Sequence, residues 1–268
     1  MIKPHGLAVV RWFNKKKNIT GRIKVRSWFL FISLSQFSFT VTAMPPLEQH
    51  ITFVAQGMSA FYMYMLSDGD EKYLRDFNQY QLSADLSLLK TSQAERANYL
   101  TQWRSITPKL NHQYFDGEGI FFDGFTRTLY RNYLTDLYLR FQKSKNIKND
   151  DFQSILDRIQ VLNSLLTARV LDVVSADYGE MGLTEEDIQF NPKDVAQVVE
   201  RDINRLLQAD GDKNQKKVLQ KISNRFKFIK NTLVDYKSET AYLMIYGSMK
   251  TMNKEFTKHK TRFVVSNQ

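Results

Sequence analysis

From Phe152 to Val173 the apolar side chains return in steps of three and four: Phe152, Ile155, Ile159, Leu162, Leu166, Val170 and Val173. An α-helix turns once every 3.6 residues, so this spacing lays one apolar stripe along a long helix. A strand would need alternation by two, and no mature segment sustains it. A stripe of this kind has to be covered by other helices, as in a bundle or a coiled-coil-like pair.

The same spacing recurs along the chain. Segment 47–66 is apolar nearly all round, with the run Phe61-Tyr62-Met63-Tyr64-Met65, and is expected at the centre of the bundle. Segment 71–90 places Tyr73, Phe77, Tyr80, Ala84 and Leu88 on one face. Ser92-Gln93-Ala94-Glu95 has the form of a capping box and opens a helix carrying Tyr99, Leu100, Trp103 and Ile106, stopping near Pro108. Segment 126–143 turns Leu129, Tyr130, Tyr133, Leu134, Leu137 and Phe141 inward. Pro192, after Asn191, suits the first turn of a helix reaching Gln208. Segments 214–236 and 238–258 complete the set, and Asn111–Gly124 is read as a Gly-rich connector. Short Asp-Gly turns imply antiparallel neighbours. The expected fold is all-α, an antiparallel bundle of seven to eight amphipathic helices. It is divisible into two four-helix halves, 44–143 and 150–258, with a flexible basic tail at 259–268.

The charge is unevenly placed. Residues 1–43 hold eight basic and no acidic side chains, or +8 of the net +10. Nucleic-acid binding draws most of its affinity from phosphate neutralisation by a basic stripe on the folded part. No such stripe is visible beyond residue 43, so nucleic acid is not an expected partner. The first 43 residues instead have the order of an export signal: a basic stretch to Arg26, an apolar run from Trp28 to Phe39, and Val41-Thr42-Ala43 before Met44. The apolar run is short and interrupted by Ser33, Ser35, Gln36 and Ser38, whereas a spanning helix needs about 20 apolar residues. Cleavage after Ala43 and a periplasmic or secreted location are expected. An uncleaved anchor and a cytosolic chain with an amphipathic N-terminus are the competing readings. No stable membrane span is expected in the mature chain.

With no Cys, the chain has no disulfide, thiolate metal site or Cys nucleophile. Asp68-Gly69-Asp70 and Asp210-Gly211-Asp212 resemble the start of a calcium loop. Both lack the Gly at position 6 and the Glu at position 12, and are read as helix-ending turns. His50, His112 and His259 are far apart in sequence and form no paired metal motif. Ser87-Leu88-Leu89-Lys90 has Ser-x-x-Lys spacing, but late in a helix and without the strand motif that accompanies it in penicillin-binding enzymes. No cofactor and no metal are expected. Glu118 and Glu180, each near aromatic or apolar neighbours, are the candidates for a raised-pKa acid in a lysozyme-like cell-wall glycosidase.

The most unusual stretch runs from Tyr114 to Phe141. Its Gly-flanked loop carries Tyr114, Phe115, Phe121 and Phe122, followed by Phe125, and these five are the candidate binding residues. Such a loop either folds back over the bundle or offers its aromatic rings to a partner. The expected function is non-enzymatic: interaction or ligand sensing in the bacterial cell envelope, with an envelope protein or a small ligand as partner. A carrier of an apolar small molecule and the cell-wall glycosidase are the alternatives.

Overall fold

The computed structural model describes residues 44–110, 114–116, 119–121, 124–144, 149–175, 189–209, 212–234 and 241–266. For residues 94–95, 107–110, 114–116, 119–121 and 259–266 only the backbone is described. The expected leader, Phe122, Glu118, Glu180, Asp210, Gly211 and the Glu95 side chain of the expected capping box lie outside the described residues.

Eight helices are described: α1 (Pro46–Leu66), α2 (Glu71–Leu88), α3 (Gln93–Leu110), α4 (Gly124–Lys143), α5 (Phe152–Ser175), α6 (Pro192–Gln208), α7 (Lys213–Val234) and α8 (Tyr242–Ser266). They pack antiparallel in an all-α fold. Their ends follow local chemistry. Asp70, Asp151, Asn191 and Asp212 each accept a backbone N–H of the following first turn, at 3.0, 2.9, 2.9 and 2.7 Å. At Asp212 the cap is reciprocal, since its own N–H donates to the Gln215 side chain at 3.1 Å. α1 ends where Asp68 and Gly69 turn left-handed (φ 51° and 87°), and Gly69 N–H closes on Tyr64 O at 2.9 Å. Asp68-Gly69-Asp70 is therefore a helix stop followed by a cap.

One stretch departs from the sequence reading. Within the connector read from Asn111 to Gly124, Tyr114–Asp116 (β1) and Gly119–Phe121 (β2) pair antiparallel, with Tyr114 opposite Phe121 and Phe115 opposite Ile120. Each strand is only three residues long, too short for alternation to show in sequence.

α1 and α5 lie at the centre. α1 packs on α2, α4, α5 and α8, and α5 also meets α6, α7 and α8, so the described helices share one core. The periodicity of α5 foretells an apolar stripe, yet every residue from Ile155 to Ala168 is buried, because helices surround it. Val173, read as inward, is only half-buried. Polar residues survive inside by bonding to the backbone one turn back: Thr52 to Glu48 O (2.8 Å), Ser59 to Ala55 O (2.9 Å), Ser164 to Gln160 O (2.9 Å) and Thr167 to Asn163 O (2.9 Å). Among the described residues no helix is long and apolar enough to cross a membrane.

Two ionic clusters tie the helices together. Arg158 of α5 and Asp202 of α6 are 5% and 1% exposed, with Nε donating to Oδ2 at 2.5 Å. Asp172 near the end of α5 receives Arg127 and Arg131 of α4 and Arg169 of its own helix. Charges at this depth are tolerated only when paired and hydrogen-bonded.

Candidate interaction surface

α2 has two faces. Tyr73, Phe77, Ala84 and Leu88 are buried against the core. On the opposite side, Lys72, Arg75, Gln79, Leu82, Leu86 and Leu89 follow one another in steps of three and four, all exposed. Leu82, Leu86 and Leu89 are 61%, 49% and 55% exposed. Single exposed leucines are ordinary, but three in register on one helix face form a contiguous apolar strip. The strip continues into a groove of about 540 Å³ lined by Lys72, Tyr73, Arg75, Asp76, Gln79, Tyr246 and Lys250.

The groove is organised by Asp76. Its Oδ2 accepts the Tyr246 hydroxyl at 2.7 Å and Lys250 Nζ at 2.6 Å, linking α2 to α8. Burial and the bond to Asp76 push the Tyr246 phenol well above its ordinary pKa, so it stays a donor. Tyr73 meets Tyr246 edge to face at 5.4 Å, and Lys72 sits 4.5 Å over the Tyr73 ring. Asp70 beside Lys72 raises the lysine pKa, and Lys72 lowers that of Asp70. Arg75 approaches Glu71 only at 3.7 Å, with both side chains mostly exposed, a pair of little energetic consequence.

Because the strip faces solvent, it contributes little to folding. Leu86→Ser is expected to change unfolding free energy by no more than about 0.5 kcal/mol in urea denaturation, within the usual range for surface positions.

Of the aromatic residues singled out in the sequence, the four described ones lie outside α2. Tyr114 and Phe121 are backbone partners in the hairpin and Phe115 pairs with Ile120, so the hairpin brings three of the five together. Phe125, at the start of α4, is 68% exposed. Ser87 of the Ser-x-x-Lys match and the lone His50 both hold the core together. Ser87 is buried and gives its hydroxyl hydrogen to Ser83 O at 2.8 Å. His50 is fully buried, with Nδ1 3.0 Å from Ala84 O and Nε2 2.7 Å from the Tyr133 hydroxyl. A carbonyl can only accept, so Nδ1 carries the proton and Nε2 accepts from Tyr133. Tyr99, Trp103 and Tyr133 surround the ring. Burial lowers the His50 pKa from 6.5 to about 4, so it is a neutral link between α1, α2 and α4.

Among the described residues, no group of three or more His, Asp or Glu side chains is arranged to hold a metal ion. The leucine strip is not legible in the sequence, although its steps of four and three are plain: the periodicity of α2 points to one apolar face, and a second face becomes visible only when the first is known to be covered. No protein-family model matches the chain, and neither the curated proteins nor the solved structures contain a significant match to it.

Proposed function

We propose that this chain is an exported helical-bundle protein of the bacterial cell envelope that acts by contact with a partner rather than by catalysis. The observation that carries the reading is the exposed strip of Leu82, Leu86 and Leu89 on the outer face of α2, running into a polar, aromatic-lined groove. Apolar side chains set in register on a rigid, capped helix give contact area at small ordering cost. The export part of the reading rests on the basic and apolar order of residues 1–43 and on Val41-Thr42-Ala43. Phe125, 68% exposed at the start of α4, offers a second apolar contact point.

Two measurements on the full chain expressed in a bacterial host test this reading. N-terminal sequencing of the envelope fraction is expected to begin at Met44; a protein that keeps Met1 and stays in the cytoplasm overturns the location. A photo-crosslinking amino acid placed at Leu86 is expected to give a discrete adduct that the same probe at Asn224 of α7 does not give. Equal labelling from both positions removes the contact surface.

A further inference from the structure

We infer that the solvent face of α7 lies against an anionic lipid surface, its cations over the phosphate headgroups and the exposed Phe228 anchored among the acyl chains. This surface is separate from the leucine strip of α2 and does not rest on it. Residues 213–231 hold seven basic side chains and no acidic one, a run hidden by the near balance of charge beyond residue 43. Lys213, Lys216, Lys217, Lys221, Arg225 and Lys227 are all exposed, and none forms an ion pair with a carboxylate among the described residues. Of the seven, only Lys230 is taken, by Glu200 of α6 at 2.6 Å. The flanking helices do not offset this charge. α6 carries three basic and three acidic residues, and residues 242–258 of α8 carry three basic and one acidic. Asp212, at the start of α7, is held by the backbone N–H groups of Asn214 and Gln215. From Lys213 to Asn231 the face is about 27 Å long at 1.5 Å per residue.

Apolar anchors accompany the cations. Phe228 of α7 is 65% exposed, and Leu243 and Met244 at the start of α8 are 54% and 48% exposed. α7 and α8 pack antiparallel with only seven residues between Val234 and Tyr242, so the three lie toward the same end of the pair. At that end of α7, Lys193, Gln197, Lys230, Asn231 and Val234 line a groove of about 390 Å³ with no carboxylate in its wall, a place for a phosphate headgroup. Cations along a face with apolar side chains beside them are the pattern of attachment to an anionic bilayer. A bilayer fits this face better than nucleic acid or an acidic protein. Six of the seven cations are lysines, point charges suited to headgroups in no fixed geometry, whereas nucleic-acid recognition favours the arginine fork. Phe228 is the single aromatic ring on the exposed face of α7, so successive bases find no stacking platform there. Protein interfaces are depleted of lysine at their centres.

Contact is read by an environment-sensitive dye on a single cysteine, which is unambiguous in a chain without Cys. Phe228→Cys and, for comparison, Leu82→Cys of α2 are labelled in the full chain and titrated with vesicles of mixed phosphatidylglycerol and phosphatidylcholine, or of phosphatidylcholine alone. The label at 228 is expected to shift to the blue only with the anionic vesicles, and the label at 82 to report water throughout. The dye reports its own site, so vesicles held only through residues 1–43 leave the label at 228 unshifted, which overturns the inference. Lys217→Glu with Lys221→Glu, added to the Phe228→Cys chain, is expected to weaken the titration at least tenfold, since each basic residue near an anionic surface is worth about fivefold. Circular dichroism confirms that each variant keeps its helix content. An equal response to both kinds of vesicle overturns the inference, as does indifference to the two lysines. A shift at 82 rather than at 228 assigns lipid contact to the leucine strip and also overturns it. Duplex DNA that displaces the vesicles at matched phosphate concentration, and depends on the same lysines, assigns the face to nucleic acid with the same consequence. A bilayer yields no discrete protein adduct at Asn224, so this inference and the contact reading of α2 fail independently.

Discussion

Replacing Asp202 by Ala is expected to lower the unfolding free energy by about 3–5 kcal/mol, because it leaves the guanidinium of Arg158 buried without its main counter-charge. Arg158 sits on α5, the central helix, and its side chain is only 5% exposed. Asp150, 4.0 Å from Arg158 and 60% exposed, is too distant and too solvated to take the place of Asp202. The attraction within the pair largely offsets the cost of removing both charges from water, so the pair itself is worth far less than the loss of one member. The double replacement Arg158→Met with Asp202→Leu is therefore expected to recover most of the stability lost in Asp202→Ala. Urea denaturation of both variants measures this. If the double variant is as unstable as the single one, the interface depends on the ionic pair itself rather than on avoiding an orphaned charge.

His50 makes stability depend on pH. Its pKa is about 4 in the folded protein and near 6.5 in the unfolded chain. The unfolded state therefore takes up a proton first as pH falls, and folding loses free energy between about pH 6.5 and pH 4. The contribution of this one group is fully present above pH 6.5. About 3 kcal/mol of it is gone at pH 4, from 1.36 kcal/mol per pKa unit. The cause is geometric: the ring is enclosed by Tyr99, Trp103 and Tyr133, and burial disfavours its charged form. His50→Gln cannot titrate. Urea midpoints from pH 7 to pH 4 are expected to fall more steeply in the wild type than in this variant, converging at low pH. Parallel slopes would show that His50 does not bind a proton on unfolding.

Much of the fold is legible from local pattern. Val218, Ile222, Phe226, Ile229 and Leu233 stand at helical spacing and are all buried, as are Ile245, Met249, Met252 and Phe256. The cap at Asn191 with Pro192 behind it marks the start of α6 to the residue. The hairpin at Tyr114–Phe121 escapes, since two strands of three residues carry no period. His50 escapes for another reason. A lone histidine has no sequence signature of burial, and its partners Ala84 and Tyr133 are 34 and 83 residues away.

The sequence by itself determined that the chain is helical, where capped helices such as α2 and α6 begin and which residues form the principal apolar faces, because caps and 3.6-residue periodicity act within a few residues; the last helix, expected to end at 258 before a flexible tail, runs instead to Ser266, where no stop signal intervenes. Only the tertiary structure decided which faces stay uncovered. Leu82 and Leu88 are the same side chain on the same helix, 61% and 0% exposed, and the difference lies in what α1 and the other helices place beside each. Burial is a property of neighbours, and the neighbours of α2 come from distant parts of the chain.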